Sequence, residues 1–243
     1  MGKLKAMQEG GAKLKAVKQA VVARIKPGVR LVELDKIADQ LIQLSGGESA
    51  FKRVAGYRWA TCINVNEGVV HGIPSDYEVR EGDLVSLDVG MVYKGWHTDT
   101  STTVIAGRGN REKEQFLQVG RQALKEAIRA ARAGNRVGHI SQAMEVTLKR
   151  GGCNPILKLT GHGIGKNLHE FPAIPCFLKG KIEATTLLQR GMTLAIEAIY
   201  AQGSPEVITG ADGWTVKTAD GKLAGLFEET VLVVDQVPMV LTA

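Results

Sequence analysis

Two aspartates eleven residues apart, Asp88 and Asp99, sit inside LVSLDVGMVYKGWHTDTSTTVI (84–105), which otherwise reads as a buried β-hairpin. Val85, Leu87, Val89 and Met91 alternate onto one face of a strand, so Ser86, Asp88 and Gly90 face the other way. Tyr93, Lys94 and Gly95 supply a turn, and a second strand over Thr98 to Ile105 carries Asp99 near its start. This predicts that the two aspartates approach each other across the hairpin, and directly opposed residues lie about 5 Å apart. Two ionised carboxylates at that separation in a low-dielectric interior repel strongly. A shared proton serving acid–base chemistry, or a divalent cation held by both, would relieve the repulsion.

The elements that must position this hairpin form a pattern used twice. A helix is expected from Lys3 to about Ile25, closed by Pro27-Gly28, and a second over Leu31 to Leu44, with Leu34, Ile37, Ala38 and Leu41 on one face. A loop from Phe51 to Ala60 and short strands at Thr61 to Val65 and Gly68 to His71 lead to the turn Gly72-Ile73-Pro74 and the hairpin. The order recurs with helices from about Arg111 to Ala133 and Val137 to Lys149. Gly134 and Gly152 follow Gly28 and Gly46 at 106 residues, and Gly191 and Glu197 follow Gly82 and Asp88 at 109. EGDLVSLD and RGMTLAIE both read as a glycine turn opening a strand that carries an acid, and each is followed by a second strand, DTSTTVI or EETVLVV. A period this long is not that of a solenoid. The expectation is one catalytic domain over 1–243, repeated internally at about 1–107 and 111–235, whose joined sheets bring Asp88, Asp99, Glu197 and Glu228 to the middle.

Four carboxylates on one buried site are untenable if all are ionised without compensation. Two divalent cations would neutralise them, with at least one carboxylate spanning both. GHGIGKNLHE offers a nitrogen ligand in His162, set between Gly161 and Gly163 where missing side chains allow close approach to a site, and a further imidazole in His169. Its glycine spacing does not match a phosphate-binding loop. Oxygen donors with one imidazole suit Mn²⁺, Fe²⁺, Co²⁺ or Zn²⁺. Such a pair acidifies a bridging water and polarises a carbonyl, the apparatus of hydrolysis. His71, in the turn before the hairpin, is placed to donate to a reacting group.

The 243 residues carry 44% hydrophobic side chains, enough for a full core. Three cysteines, Cys62, Cys153 and Cys176, with no CxxC spacing, exclude a disulfide framework and fit a reducing compartment. No run reads as a signal peptide or a bilayer span, so a cytoplasmic protein with no membrane partner is expected. The net charge of +6 is compatible with a nucleic-acid or ribosomal surface, but is read first as a solvated helix face carrying Lys5, Lys13, Lys15 and Lys18.

With these residues in view, the chain resembles type I methionine aminopeptidases, of the creatinase-like pita-bread fold. The likeness runs from the first helix to about Val234 and rests on CINVNEGVVHGIP, LDVG followed by HTDTSTT, TGHGIGKNLHEFP, TLAIEAIY and DGWTVKTADGKLAGLFEETVLVV. The short segment usual ahead of the first helix is expected to be absent. The resemblance implies an α+β fold of two pseudo-symmetric helix-helix-β halves around a central curved antiparallel sheet, with the metal site at its centre. It implies metal ligands at Asp88, Asp99, His162, Glu197 and Glu228, with Asp99 and Glu228 bridging two divalent ions. It further implies that His71 contacts the scissile amide, that His169 steadies the carbonyl or its tetrahedral intermediate, and that Glu197 exchanges protons with the attacking hydroxide. The methionine side chain would rest against Tyr57, Cys62, Leu168 and Trp214.

The activity so implied is removal of initiator methionine from nascent polypeptides whose second residue is small, with the ribosome surface as a partner and no DNA. Several positions depart from the family's pattern. Glu229 stands where a histidine is common, adding negative charge beside the site; Leu168 replaces an aromatic; Val70 and Thr98 occupy places of smaller residues; and AGLF precedes Glu228. A proline-specific aminopeptidase or dipeptidase of the same fold is the rival enzyme, and a non-catalytic binding protein on that fold is the rival from another class.

Overall fold

The computed structural model describes residues 2–243. Four helices and thirteen strands build it: α1 Lys3–Val22, α2 Leu31–Leu44, β1 Glu48–Ser49, β2 Thr61–Val65, β3 Gly68–Val70, β4 Leu84–Tyr93 and β5 Trp96–Ile105 come first. They are followed by α3 Arg111–Ala130, α4 Val137–Arg150, β6 Asn154–Pro155, β7 Thr160–Gly163, β8 Glu170–Pro175, β9 Thr193–Ala201, β10 Val207–Thr209, β11 Val216–Thr218, β12 Ala224–Leu232 and β13 Met239–Val240.

The main sheet runs β1-β4-β5-β12-β9-β7-β8, with β2 paired to β4, β6 to β9 and β13 to β12, every pairing antiparallel. A three-stranded sheet, β10-β11-β3, lies beside it. The apolar alternation of β4 does what the sequence demands: Val85, Leu87, Val89 and Met91 join Leu14, Val17 and Val21 of α1 and Leu34, Ala38 and Ile42 of α2 in one core. A second core sets Leu117, Leu124, Ile140 and Met144 of α3 and α4 against Ile196, Tyr200, Leu226 and Phe227 of β9 and β12. Each half is therefore a helix pair over a pair of long strands, and β5 and β12 join the halves.

The elements end where local chemistry requires. Asn110 caps α3, its side chain accepting from the Lys113 amide at 2.9 Å. Gly152, with φ of 75°, follows α4 in the left-handed conformation. Three boundaries differ from the periodicity by two residues or more. The first helix stops at Val22 rather than Ile25, since the chain tightens there, the Arg24 and Ile25 amides bonding three residues back to the Val21 and Val22 carbonyls ahead of Pro27. The third stops at Ala130 rather than Ala133, because the Ala133 and Gly134 amides bond instead to the carbonyls of Val234 and Leu188. The second hairpin strand opens at Trp96 rather than Thr98: Tyr93 pairs with Trp96 around Lys94-Gly95, whose φ values of 51° and 76° are those of a type I′ turn. Lys18, expected on a solvated face, is only 8% exposed and points into the sheet.

Close seating of α1 on the sheet rests on Gly11, where a Cβ would lie 2.2 Å from the Leu241 carbonyl oxygen. Alanine gains about 1 kcal/mol over glycine inside an unconstrained helix, whereas overpacking costs about 1–3 kcal/mol. Gly11→Ala is expected to lower the melting temperature by a few degrees in a thermal unfolding experiment. An increase would show that the helix does not lie this close.

Candidate metal centre

Five consecutive strands of the main sheet, β4, β5, β12, β9 and β7, each present one potential metal ligand on the face away from α1 and α3. Asp88 pairs with Ser101, Ser101 with Glu228 and Glu228 with Glu197, so three carboxylates lie in one row across four strands. Asp99 stands opposite Gly90, not opposite Asp88, and His162 stands opposite Ala195, two residues from Glu197. Asp99 and His162 are thus displaced by one pleat to the same side, forming a second row. The directly opposed aspartates expected from the hairpin pattern are corrected to a diagonal pair, because the two-residue turn fixes the register. Their carboxyls still lie close enough to perturb each other's ionisation.

One ligand atom each from Asp99, His162 and Glu228 lies within 4.8 Å of the others. His162 Nε2 is 3.5 Å from Glu197 Oε1. His162 Nδ1 is 2.8 Å from the Gly163 carbonyl, which only accepts, so the proton sits on Nδ1 and the Nε2 lone pair faces the acids. Asp99 and Glu228 are 4% and 2% exposed, while Asp88 and Glu197 reach the cavity surface. Asp88 Oδ1 and Glu228 Oε1 are buried without a hydrogen-bond partner among the described residues.

Burial drives the ionisation of the cluster. It pushes Asp88 well above the usual carboxylate range, with Asp99 and Glu197 adding to the effect, and it raises Glu197 and Glu228 likewise, Asp99 leading the charge contribution in both. Burial raises Asp99 to about 7 and lowers His162 to about 4. Without a cation the cluster therefore holds protons that its geometry gives it no means to share fully. Four converging carboxylates, two orphaned oxygens and an aimed imidazole nitrogen fit a divalent cation site.

The remaining residues singled out from sequence line the same cavity of about 150 Å³. His71 and His169 stand at its mouth, and His169 packs edge-on to His162 with ring centroids 4.5 Å apart. Partial desolvation lowers the pKa of both rim imidazoles, and His169 lowers His71 further. His71 adopts φ of 58°, and at Gly72 a Cβ would lie 2.2 Å from the Ile63 carbonyl, so the chain folds sharply onto β2 and turns the imidazole toward the opening. Tyr57, Cys62, Leu168 and Trp214 form the apolar wall. Tyr57 meets Trp214 edge-on at 5.1 Å and donates to the Thr61 carbonyl at 2.8 Å.

Phe51, Val54 and Val70 also line the cavity. Phe51 and Val54 had no signal in the sequence beyond lying in an aromatic-containing loop. Ser101 was equally silent, although its place two residues from Asp99 puts it on the same face, between Asp88 and Glu228. Gly161 and Gly163 do not open space toward a ligand. A Cβ there would meet the Ala195 carbonyl at 2.5 Å and the Phe171 carbonyl at 2.3 Å, so they let β7 fit between its neighbours. Glu229 projects from the opposite face of β12 and pairs with Lys18 at 2.8 Å, so its charge is largely countered there, although it still adds to the rise of the Glu228 carboxyl.

Comparison with known proteins agrees in sequence and in shape. The profile of metallopeptidase family M24 matches residues 5–235. The methionine aminopeptidase of Aquifex aeolicus is 38% identical over 91% of this chain and 89% of its own length, and that of Clostridium perfringens 36% identical over 97% and 94%. The crystal structure of methionine aminopeptidase from Thermotoga maritima superposes with a TM-score of 0.95, at 35% identity over 99% of this chain and 96% of that one. Prolidase from Pyrococcus furiosus, at 23% identity and a TM-score of 0.80 over 64% of its length, shares the fold. A matching profile and relatives above 30% identity over nearly the whole chain, beside five candidate ligand positions on adjacent strands, lead to one assignment: this chain belongs to metallopeptidase family M24.

Proposed function

We propose that the chain is a divalent-metal aminopeptidase that removes the initiator methionine from polypeptides whose second residue is small. The observation that carries this is the convergence of Asp99, His162 and Glu228 within 4.8 Å, with Asp88 and Glu197 beside them, in a largely apolar cavity of about 150 Å³, a volume suited to one side chain rather than to a larger ligand. Relatives named methionine aminopeptidase and matched over nearly their whole length support the same substrate. Prolidase supports only the fold, so hydrolysis of X-Pro peptides is the weaker alternative.

Asp88, Asp99, His162, Glu197 and Glu228 would hold the two divalent ions. Divalent ions there supply an acidified water and polarise the scissile carbonyl. The identity of the ions among Mn²⁺, Fe²⁺, Co²⁺ and Zn²⁺ belongs to the proposal, since oxygen donors with one imidazole accept each of them. Glu197, at the cavity surface, takes and returns the proton of the attacking water. Neutral His71 and His169 at the mouth donate hydrogen bonds, the first to the scissile amide and the second to the developing oxyanion. Tyr57, Trp214, Cys62, Leu168 and Phe51 surround the thioether, which a soft, aromatic-lined slot accommodates well.

We further propose one catalytic domain over 1–243 acting in the cytoplasm, supported by three free buried cysteines and by helices none of which, among the described residues, is long and apolar enough to cross a membrane. The ribosome surface is proposed as a partner on the net charge of +6, which favours association with polyanions.

Three outcomes are expected. Met-Ala and Met-Gly peptides should be cleaved in the presence of Mn²⁺ or Co²⁺ and X-Pro peptides spared; preference for X-Pro would reverse the assignment. Asp99→Asn should abolish both Mn²⁺ binding by calorimetry and peptide cleavage, whereas His169→Ala should keep the metal and lose about 10²-fold in kcat. Finally, Asp99 has its carboxyl raised from 3.8 to about 7 in the metal-free fold, so its contribution to stability is present below pH 4 and lost as pH rises toward 7. Cations compete with those protons, so Mn²⁺ affinity should climb between pH 5 and 8 with proton release. An affinity flat across that range in titration calorimetry would show the carboxylates to be ionised already.

A further inference from the structure

The two halves of the sheet meet at β5 and β12, and this seam is built differently from its flanks. Continuous ladders join β4 to β5 over ten residue pairs and β12 to β9 over nine, whereas β5 and β12 register at only Glu228–Ser101 and Glu229–Thr100. Threonine side chains complete the rest of the seam. Thr230 Oγ1 accepts from the Asp99 amide at 2.9 Å and donates to the Asp99 carbonyl at 2.8 Å. Thr103 Oγ1 does the same with the amide and carbonyl of Leu226, at 2.9 and 2.8 Å. Backbones bridged through side chains stand further apart than laddered ones, and their spacing depends on those side chains. Asp99 and Glu228, both placed in the metal cage, lie on opposite sides of this seam.

On the helix-facing side, directly beneath them, Lys18 of α1 reaches the seam. Its Nζ donates to Thr100 Oγ1 at 2.6 Å and to Glu229 Oε1 at 2.8 Å. Thr100 Oγ1 in turn lies 2.9 Å from the Glu228 carbonyl and 3.0 Å from Glu229 Oε2. Thr242 Oγ1 donates to the same Glu229 oxygen and accepts from the Thr230 amide at 2.9 Å. One ammonium and one carboxylate thus engage both strands at the residues adjoining Asp99 and Glu228. An ordinary core would fill this place with apolar side chains, since a buried ion pair contributes little to net stability and serves best to fix geometry.

We propose that Lys18 and Glu229 are a positioning pair that sets the separation of Asp99 from Glu228 across the seam, and thereby the affinity of the cage for divalent cations. This rests on the metal-site reading above. Neither residue touches the cavity; they act through Thr100 and the backbone of β12. The pair carries no net charge, so the field it adds at the cage is smaller than that of Glu229 alone, which still helps raise Glu228, and the calorimetry below separates that field from the geometry.

Titration calorimetry of the metal-free protein with MnCl₂ separates these effects. The double variant Lys18→Met with Glu229→Gln keeps the net charge of the pair and removes the clamp; it is expected to bind Mn²⁺ at least ten-fold more weakly than the wild type. A purely electrostatic role predicts instead that Lys18→Met tightens binding, Glu229→Gln weakens it, and the double variant returns to within two-fold of the wild type. That pattern overturns the proposal. Should the double variant fail to melt cooperatively, Thr100→Val leaves both charges and removes their shared hydroxyl, and is expected to weaken Mn²⁺ binding about ten-fold, with Thr100→Ser restoring it. Wild-type affinity in a folded Thr100→Val protein overturns the proposal as well. If the wild-type chain itself binds no Mn²⁺, Co²⁺ or Zn²⁺, the metal-site reading falls and this inference with it.

Discussion

Everything in this molecule is arranged around a repulsion. Four carboxylates occupy adjacent strands of one sheet within a desolvated cavity, and burial lifts every one of them above its ordinary range, with the charges of neighbouring acids adding to it at Asp88, Glu197 and Glu228. A fold selected for stability alone would not gather them. The remainder of the structure can be read as the apparatus that tolerates this crowding: long β ladders on both flanks, two helix pairs that bury the opposite face, and a neighbouring histidine whose proton is committed to a backbone carbonyl. A buried acidic cluster of this kind is stable when cations fill it, so binding to the folded state alone adds stability by mass action. Metal affinity and folding are therefore two expressions of the same free energy.

Placing the candidate ligands on strands rather than loops has a further consequence. Residues in register across an antiparallel sheet have their Cβ positions set by the ladder, and here one row fixes three carboxylates with a second row one pleat away. The groups that would meet the substrate are held differently. His71 follows β3 in a left-handed conformation, and His169 closes the loop between β7 and β8. Rigid elements carry the charge cage, and the turns at its rim carry the polar contacts.

Much of this was legible in the chain. Alternation of Val85, Leu87, Val89 and Met91 dictates which face Asp88 must take, and the spacing of glycines and acids from one half to the next marks a unit used twice. What was not legible depended on register and on distant partners. The hairpin pattern brings Asp88 and Asp99 together but sets them directly opposite each other, whereas the turn whose Lys94 and Gly95 have positive φ fixes them diagonally. The charge at Glu229 looked hostile to the site because its counter-ion, Lys18, lies 211 residues away on a helix whose lysines otherwise read as solvated. Phe51 reaches the cavity by lying over Gly90, where a Cβ would be 2.8 Å from its ring, and no local pattern announces such a contact.

The seam between the halves shows why the pairing of Lys18 with Glu229 matters. If the two halves arose as one unit used twice, each would carry its own well-laddered strand pair, and the junction would be the one place where neither half supplies the register. Hydroxyls fill that gap here: Thr103 and Thr230 each exchange two hydrogen bonds with the opposite backbone, and Thr100 joins them from the helix side. A threonine bridge carries direction but has more freedom than a ladder, so a junction made of bridges tolerates small changes in strand separation. Metal cages do not tolerate them, since ligand distances are fixed to within about 0.2 Å. A cage that straddles its most compliant junction needs something stiff behind it, and a lysine held at short range by a hydroxyl of one strand and a carboxylate of the other meets that need.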